Sequence, residues 1–302
     1  MKNKNYLGLV GLLLVACGTG DETELKTIES LGESNEMLPA EELAMNCESM
    51  DVLFVVDNSP SMGNNQRALQ QRVGAFARKL QKLRTADGDF LDLNFGVTTT
   101  SISKRVINPE TFRESTTRGH GGTLANLHCY DDELWKINDD AQLSCLTNVG
   151  LGGSNIEMPL ESIRQIVEGE HEEQNEGFIR PDALLATVVV TDEDDCSYSE
   201  DSIITDSHDA FCEWGESIDY FADKIASAKK GSGQWASWII GADATCDDYD
   251  GSFPGDSRLE QFAGLDPNEP AFSSICENNI STSLDLAFET IARKCHSNLV
   301  VE

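Results

Sequence analysis

A chain of 302 residues, 39% of them apolar, has enough apolar surface for one packed core. Its 53 acidic side chains against 22 Lys and Arg leave a formal charge of −31. That field repels phosphate backbones and excludes nucleic acid as a partner, while it favours divalent cations wherever carboxylates converge.

The chain opens with Lys2 and Lys4 ahead of a short apolar run, Tyr6–Ala16, too short to span a bilayer comfortably. The run ends in Leu14-Val15-Ala16-Cys17, which resembles the lipobox of bacterial lipoproteins. The resemblance implies a signal peptide over residues 1–16, a mature chain starting at a lipidated Cys17, and attachment to the membrane through that lipid. Gly18, rather than Asp, after the cysteine implies the outer membrane of the cell envelope where sorting follows the enteric rule. An ordinary signal peptide with a nearby cysteine is the alternative. Residues 17–46 are acidic, with Lys26 as their one basic side chain, and read as a solvated tether with a short helix near Pro39–Asn46.

A domain over residues 47–302 follows, with strands and helices in alternation. Asp51–Asp57 is a continuous apolar run closed by an acid, as expected of a strand covered on both faces. Asn64–Leu83 places Leu69, Val73, Phe76, Leu80 and Leu83 at helical spacing. Leu91–Thr100 is a second strand. Residues 101–150, rich in Gly, Asn, Thr and Asp, read as a loop-rich insertion with two cysteines. Ser154–Gly169 reads as a capped helix, Ala183–Asp192 as a buried strand, Glu213–Lys230 as an amphipathic helix and Trp235–Asp243 as another strand. Ser257–Leu265 and Ile280–Lys294 are helices, and Ser297–Glu302 an edge strand. The pattern predicts an α/β fold: a doubly wound, mainly parallel central sheet flanked by helices, with a disulfide-rich loop insertion.

Eight cysteines remain beyond Cys17: Cys47, Cys129, Cys145, Cys196, Cys212, Cys246, Cys276 and Cys295. An even number in an exported chain points to four disulfides. Spacing leaves connectivity open. Pairing neighbours closes local loops at Cys129–Cys145, Cys196–Cys212 and Cys246–Cys276, and leaves Cys47 and Cys295 to join the domain's two ends.

Asp57 and Asp192 both follow strands, and in a parallel sheet both face the crevice beyond the strands' carboxyl ends. Ser59 and Ser61 alternate with Asp57, so their side chains can share its direction, and Pro60 stiffens the turn. Carboxylates and hydroxyls near helix starts make an all-oxygen set suited to Mg²⁺ or Ca²⁺. Asp57 taken alone is equally a helix N-cap.

Val52–Met62, "VLFVVDNSPSM", resembles the Asp-x-Ser-x-Ser motif of the metal-ion-dependent adhesion site (MIDAS) of von Willebrand factor type A domains. Gly152-Gly153-Ser154-Asn155 resembles that family's Gly-Gly-Thr-Asn, with Ser for Thr. Thr191-Asp192-Glu193 resembles its Thr-Asp-Gly, with Glu for Gly. "VVVTDEDDCS" resembles a bacterial, often lipid-anchored subgroup with cysteine-rich loops. The resemblance implies direct metal ligation by Ser59 and Ser61, direct or water-mediated ligation by Asp57, Asp192 and Ser154, and a Mg²⁺ ion (or Mn²⁺ or Ca²⁺). A carboxylate from a protein ligand would complete the coordination. It implies adhesion rather than catalysis; an envelope scaffold and a metal-dependent hydrolase are the alternatives.

Other features have plainer readings. Ser154 with Glu157 forms a capping-box pattern. Glu193–Asp195 and Asp243–Gly251 read as solvated acidic loops before second metal sites. His120 and His128 lie in the insertion beside Cys129, where a disulfide is a better reading than zinc. Trp135, Trp214, Trp235 and Trp238 read as core or loop anchors.

Overall fold

The computed structural model describes residues 44–129, 134–135, 140–204, 215–229, 234–243, 246, 257–265, 271–276 and 279–297. Cys17, the expected signal peptide and most of the expected tether lie outside the described residues. So do Cys212, Trp214, most of Asp243–Gly251 and residues 298–302 of the expected last strand.

Five parallel strands form the central sheet: β2 (Ser49–Val56), β4 (Asp92–Thr99), β7 (Leu184–Val190), β9 (Trp235–Gly241) and β10 (Phe272–Ser274), in the order β10-β9-β7-β2-β4. The expected doubly wound sheet is therefore observed. Its apolar runs explain it: β7 is Leu-Leu-Ala-Thr-Val-Val-Val, buried throughout. Only a strand covered on both faces can hide so many consecutive apolar side chains. The helices are α1 (Gly63–Leu80), α2 (Asp140–Leu146), α3 (Pro159–Val167), α4 (Glu172–Asn175), α5 (Ile218–Ala228), α6 (Arg258–Ala263) and α7 (Ile280–Ser297). Helix α1 packs with α2 and α7, and α5 packs with α3 and α6. Phe54 of β2 meets Phe76 of α1 edge to face at 5.6 Å, and burying a side chain of this size stabilises by about 1.5–3 kcal/mol.

Strand order reverses at β2, since the chain runs first to β4 on one side and later to β7 on the other. Open α/β sheets bind ligands at such a switch point, beyond the strands' carboxyl ends.

Two expectations are corrected. Ala44–Met45, within the expected short helix, is a strand (β1) paired with β3 (Arg84–Thr85). The helix expected from Ser154 starts at Pro159, which occupies its first turn, because proline fits there and has no N–H to lose. The insertion carries its own sheet, in which β5 (Arg105–Ile107) pairs with β6 (Glu114–Thr116) and with the distant β8 (Ser202–Ile204).

Cys47–Cys295, Cys129–Cys145 and Cys246–Cys276 are disulfides. Cys196 is also disulfide-bonded, but its expected partner, Cys212, lies outside the described residues. Trp135 meets Phe178 edge to face, Trp235 stacks on Phe262, and Trp238 is buried.

Candidate metal centre

Strand register builds the crevice. Val56 pairs with both Thr99 and Val190, so β2, β4 and β7 end level. Asp57, Thr100 and Thr191 then stand side by side: Asp57 N donates to Val190 O at 2.9 Å, and Thr100 N to Val56 O at 3.3 Å.

Asp57 is fully buried. Its Oδ1 accepts the Ser59 N–H at 2.7 Å and its Oδ2 accepts the Thr191 hydroxyl at 2.8 Å. The first bond folds the turn and the second ties β2's end to β7's. Asp57 does not cap α1, which follows a single 3-10 turn at Pro60–Met62 and has Met62 at its N-cap position. The turn points the two hydroxyls together: Ser59 Oγ lies 2.9 Å from Ser61 Oγ, and the Ser61 hydroxyl donates to Asp192 Oδ1 at 3.0 Å. Ser59 is buried and Ser61 exposed, so the row runs from floor to mouth.

The loop bearing Ser154 docks on this turn. Gly153 N donates to Asn58 O at 2.8 Å. A Cβ on Gly153 would fall 2.3 Å from Asn58 Oδ1, so any other residue would have to displace that buried side chain. Ser154 N donates to Ser101 Oγ, and Ser154 Oγ accepts the Ile156 N–H, each at 3.0 Å. Ser154 thus sits in a loop pinned to the Asp57–Ser61 turn. Among the described residues no hydrogen bond joins its hydroxyl to Asp57, Ser59, Ser61 or Asp192. The expected capping box is absent; Glu157 instead turns inward and accepts the Thr100 hydroxyl.

Gln66 was not legible as a site residue. Its amide donates to Asp57 O at 2.7 Å and Gly150 O at 2.8 Å, joining the two loops from α1. The available signal was a polar residue on the apolar face of that helix, in step with Leu69 and Val73.

The Glu193–Asp195 loop is not a solvated one. Asp194 accepts the N–H groups of Arg258 (2.9 Å) and Leu259 (3.0 Å) at the start of α6. Asp195 accepts the Leu160 N–H at 3.2 Å, and Ser197 Oγ the Glu161 N–H at 2.8 Å, at the start of α3. Two helix N-termini therefore aim at one acidic loop, which satisfies their free N–H groups and complements their dipoles.

Burial raises the Asp57 carboxyl to about 6, and the charge of Asp192 adds to it. Burial also raises Asp192. Burial first and the charge of Asp57 second raise Glu193 to about 7 and Glu157 to about 9. The other end of β2 provides the contrast. Asp51 is equally buried, yet Arg180 meets it through Nε at 2.7 Å and its backbone N–H at 2.8 Å, and Lys229 stands 3.5 Å away. No Lys or Arg serves Asp57 or Asp192 among the described residues. An interior carboxylate is stable when paired with a base or a metal, and two carboxylates with a row of hydroxyls fit a hard cation. Among the described residues no three His, Cys, Asp or Glu side chains group closely enough to hold a metal by themselves. The fit therefore depends on the serine hydroxyls. His120 and His128 form no such group either, and Cys129 is bonded to Cys145.

No family model matches the sequence, and no curated protein does. Among solved structures, proximal thread matrix protein 1 from the mussel byssus is 12% identical, with a TM-score of 0.42 over 83% of this chain and 49% of that one. A second structure of that protein, described with a zinc-occupied MIDAS motif, is 13% identical, with a TM-score of 0.42 over 82% of this chain and 46% of the other. The pilus adhesin RrgA of Streptococcus pneumoniae is 16% identical, with a TM-score of 0.29 over 52% of this chain and 22% of its own. This chain spans about half the length of the mussel protein and less of the adhesin. Likeness at this level assigns no family.

Proposed function

We propose that this chain is a lipid-anchored envelope protein that binds a protein ligand through a divalent cation, Mg²⁺, Mn²⁺ or Ca²⁺, in the crevice at the ends of β2 and β7. The observation that carries the reading is the contrast along β2. The chain supplies Asp51 with two bases, and among the described residues it surrounds Asp57 and Asp192 with hydroxyls, N–H groups and each other's charge. The resemblance of the Asp57–Ser61, Ser154 and Asp192 segments to a MIDAS supports the same reading.

Ser59 and Ser61 would hold the cation through their hydroxyls, with Ser154 joining them. Asp57, held by Ser59 N–H and Thr191, fixes the turn from behind and supplies charge. Asp192 orients the Ser61 hydroxyl from the opposite strand. The bound cation would supply an electrophilic centre for a carboxylate of the partner. Ser61 is exposed, so that contact would form at the mouth. Attachment to the outer membrane through Cys17 rests on the lipobox resemblance.

Partner capture tests the proposal. Chain lacking residues 1–17, immobilised and exposed to solubilised native envelope with Mg²⁺, should retain a protein that EDTA releases and that a Ser59→Ala/Ser61→Ala variant does not retain. Retention through EDTA would replace the adhesion reading with a scaffold role.

A further inference from the structure

Glu157 is wholly buried, two residues before α3, where the chain passes over the end of β4. Met158 N donates to Thr100 O at 2.9 Å and Cys196 N donates to Glu157 O at 2.7 Å, so its backbone is fixed from two sides. Its Oε2 accepts the Thr100 hydroxyl, and the Ser101 hydroxyl stands 3.5 Å off. Its Oε1 has no hydrogen-bond partner among the described residues; nor has Oδ1 of buried Asn58 on the neighbouring turn.

The charges closest to Glu157 in effect are all negative: Asp57, Glu193 and Asp192. Other buried acids are treated differently. Glu161 meets Lys104 at 3.1 Å and Arg164 at 2.6 Å, and Asp195 meets Arg258 at 3.0 Å. Asp192, Asp57 and Glu157 stand over three adjacent strand ends, β7, β2 and β4, and none has a base among the described residues. An orphaned oxygen on a wholly buried carboxylate beside two more carboxylates calls for a positive charge or its water shell.

We infer that Glu157 is a further carboxylate of the cation crevice, a positioning residue that holds the cation's bound water from the β4 side and adds its charge to those of Asp57 and Asp192. This rests on the cation-binding reading above. Through-water placement agrees with the lack of a close three-carboxylate group among the described residues. Outer-sphere carboxylates of this kind orient a metal's ligands and tune its affinity.

Calorimetric titration of the folded chain with Mg²⁺, Mn²⁺ and Ca²⁺, wild type against Glu157→Gln, tests the inference, with melting in EDTA as a second readout. The variant should bind about 10–100-fold more weakly, while its melting temperature in EDTA stays level, because a glutamine amide oxygen can still accept the Thr100 hydroxyl. A purely structural glutamate gives the reverse, unchanged affinity and a lower melting temperature in EDTA, and that result overturns the inference. Equal affinity of wild type and variant overturns it alone and leaves the cation reading standing. No binding by wild type overturns both. Should Glu157→Gln fail to fold, Glu157→Asp, which keeps the charge but withdraws it by one methylene, must bind more weakly than wild type. Equal affinity there overturns the inference as well.

Discussion

Asp51 and Asp57 stand at opposite ends of β2, both buried, and differ in what surrounds them: bases for one, hydroxyls, N–H groups and further acids for the other. Burial raises the Asp51 carboxyl as well, and the acids of the crevice add a pH signature of their own. The Asp57 and Glu157 carboxyls, ordinarily near 3.8 and 4.5, are raised to about 6 and about 9. The cation-free folded chain therefore holds more protons than the unfolded chain across that window, and these groups make its stability fall as pH rises through it. A cation displaces those protons, so the rise in melting temperature on adding Mg²⁺ or Ca²⁺ should be larger near pH 8 than near pH 5. Paired thermal scans in EDTA and in saturating cation measure it, and a rise equal at both pH values contradicts the assignment. Asp57, Ser59, Ser61 and Asp192 were legible in the sequence because their pattern is local and follows apolar strands. Glu157 was not. The Ser-x-x-Glu spacing pointed to a capping box, but Pro159 sets the helix start later and frees Glu157 to turn inward. Its surroundings come from β4, β2 and β7, which no local window contains.

At the level of elements, the acidic loop after β7 acts as a shared cap for α3 and α6. Asp194→Ala removes the acceptor for two N–H groups at the start of α6 and should cost roughly 1–2 kcal/mol. Asp195→Ala should cost more, about 3 kcal/mol, since it also leaves the Arg258 guanidinium without its buried partner. Urea unfolding midpoints test the order, and an Asp195→Ala variant as stable as wild type contradicts it. The central strands were readable as unbroken apolar runs. The strands β5, β6 and β8 were not, because each has three residues, β6 is exposed Glu-Ser-Thr, and β5 finds one partner far along the chain. The Asp194 and Asp195 caps stayed hidden for a related reason. A capping residue is recognised by its place just before a helix, and these are supplied across the fold.

In the whole molecule, Cys47–Cys295 joins the start of β2 to the last turn of α7, across a separation of 248 residues. Cys47 N and Asn46 N both donate to Cys295 O at 3.2 Å, so the bridge closes a contact that the backbone also makes. Chain-entropy reasoning assigns about 5 kcal/mol to so long a loop and about 3 kcal/mol to Cys129–Cys145, whose separation is 16. Cys47→Ser/Cys295→Ser should therefore lower the denaturation midpoint more than Cys129→Ser/Cys145→Ser, and a reversed order contradicts the ranking. These pairings were expected once neighbouring cysteines were matched, although spacing alone left the connectivity open. The doubly wound sheet has the deeper consequence, because its reversal at β2 brings Asp57 and Asp192 to one crevice from distant parts of the sequence. The most direct test is calorimetric titration of Mg²⁺, Mn²⁺ and Ca²⁺ into the chain lacking residues 1–17, beside an Asp57→Asn/Asp192→Asn variant. Saturable binding to wild type at a single site, lost in the variant while its circular dichroism is retained, is the predicted result. No saturable binding, or equal binding by the variant, would contradict it.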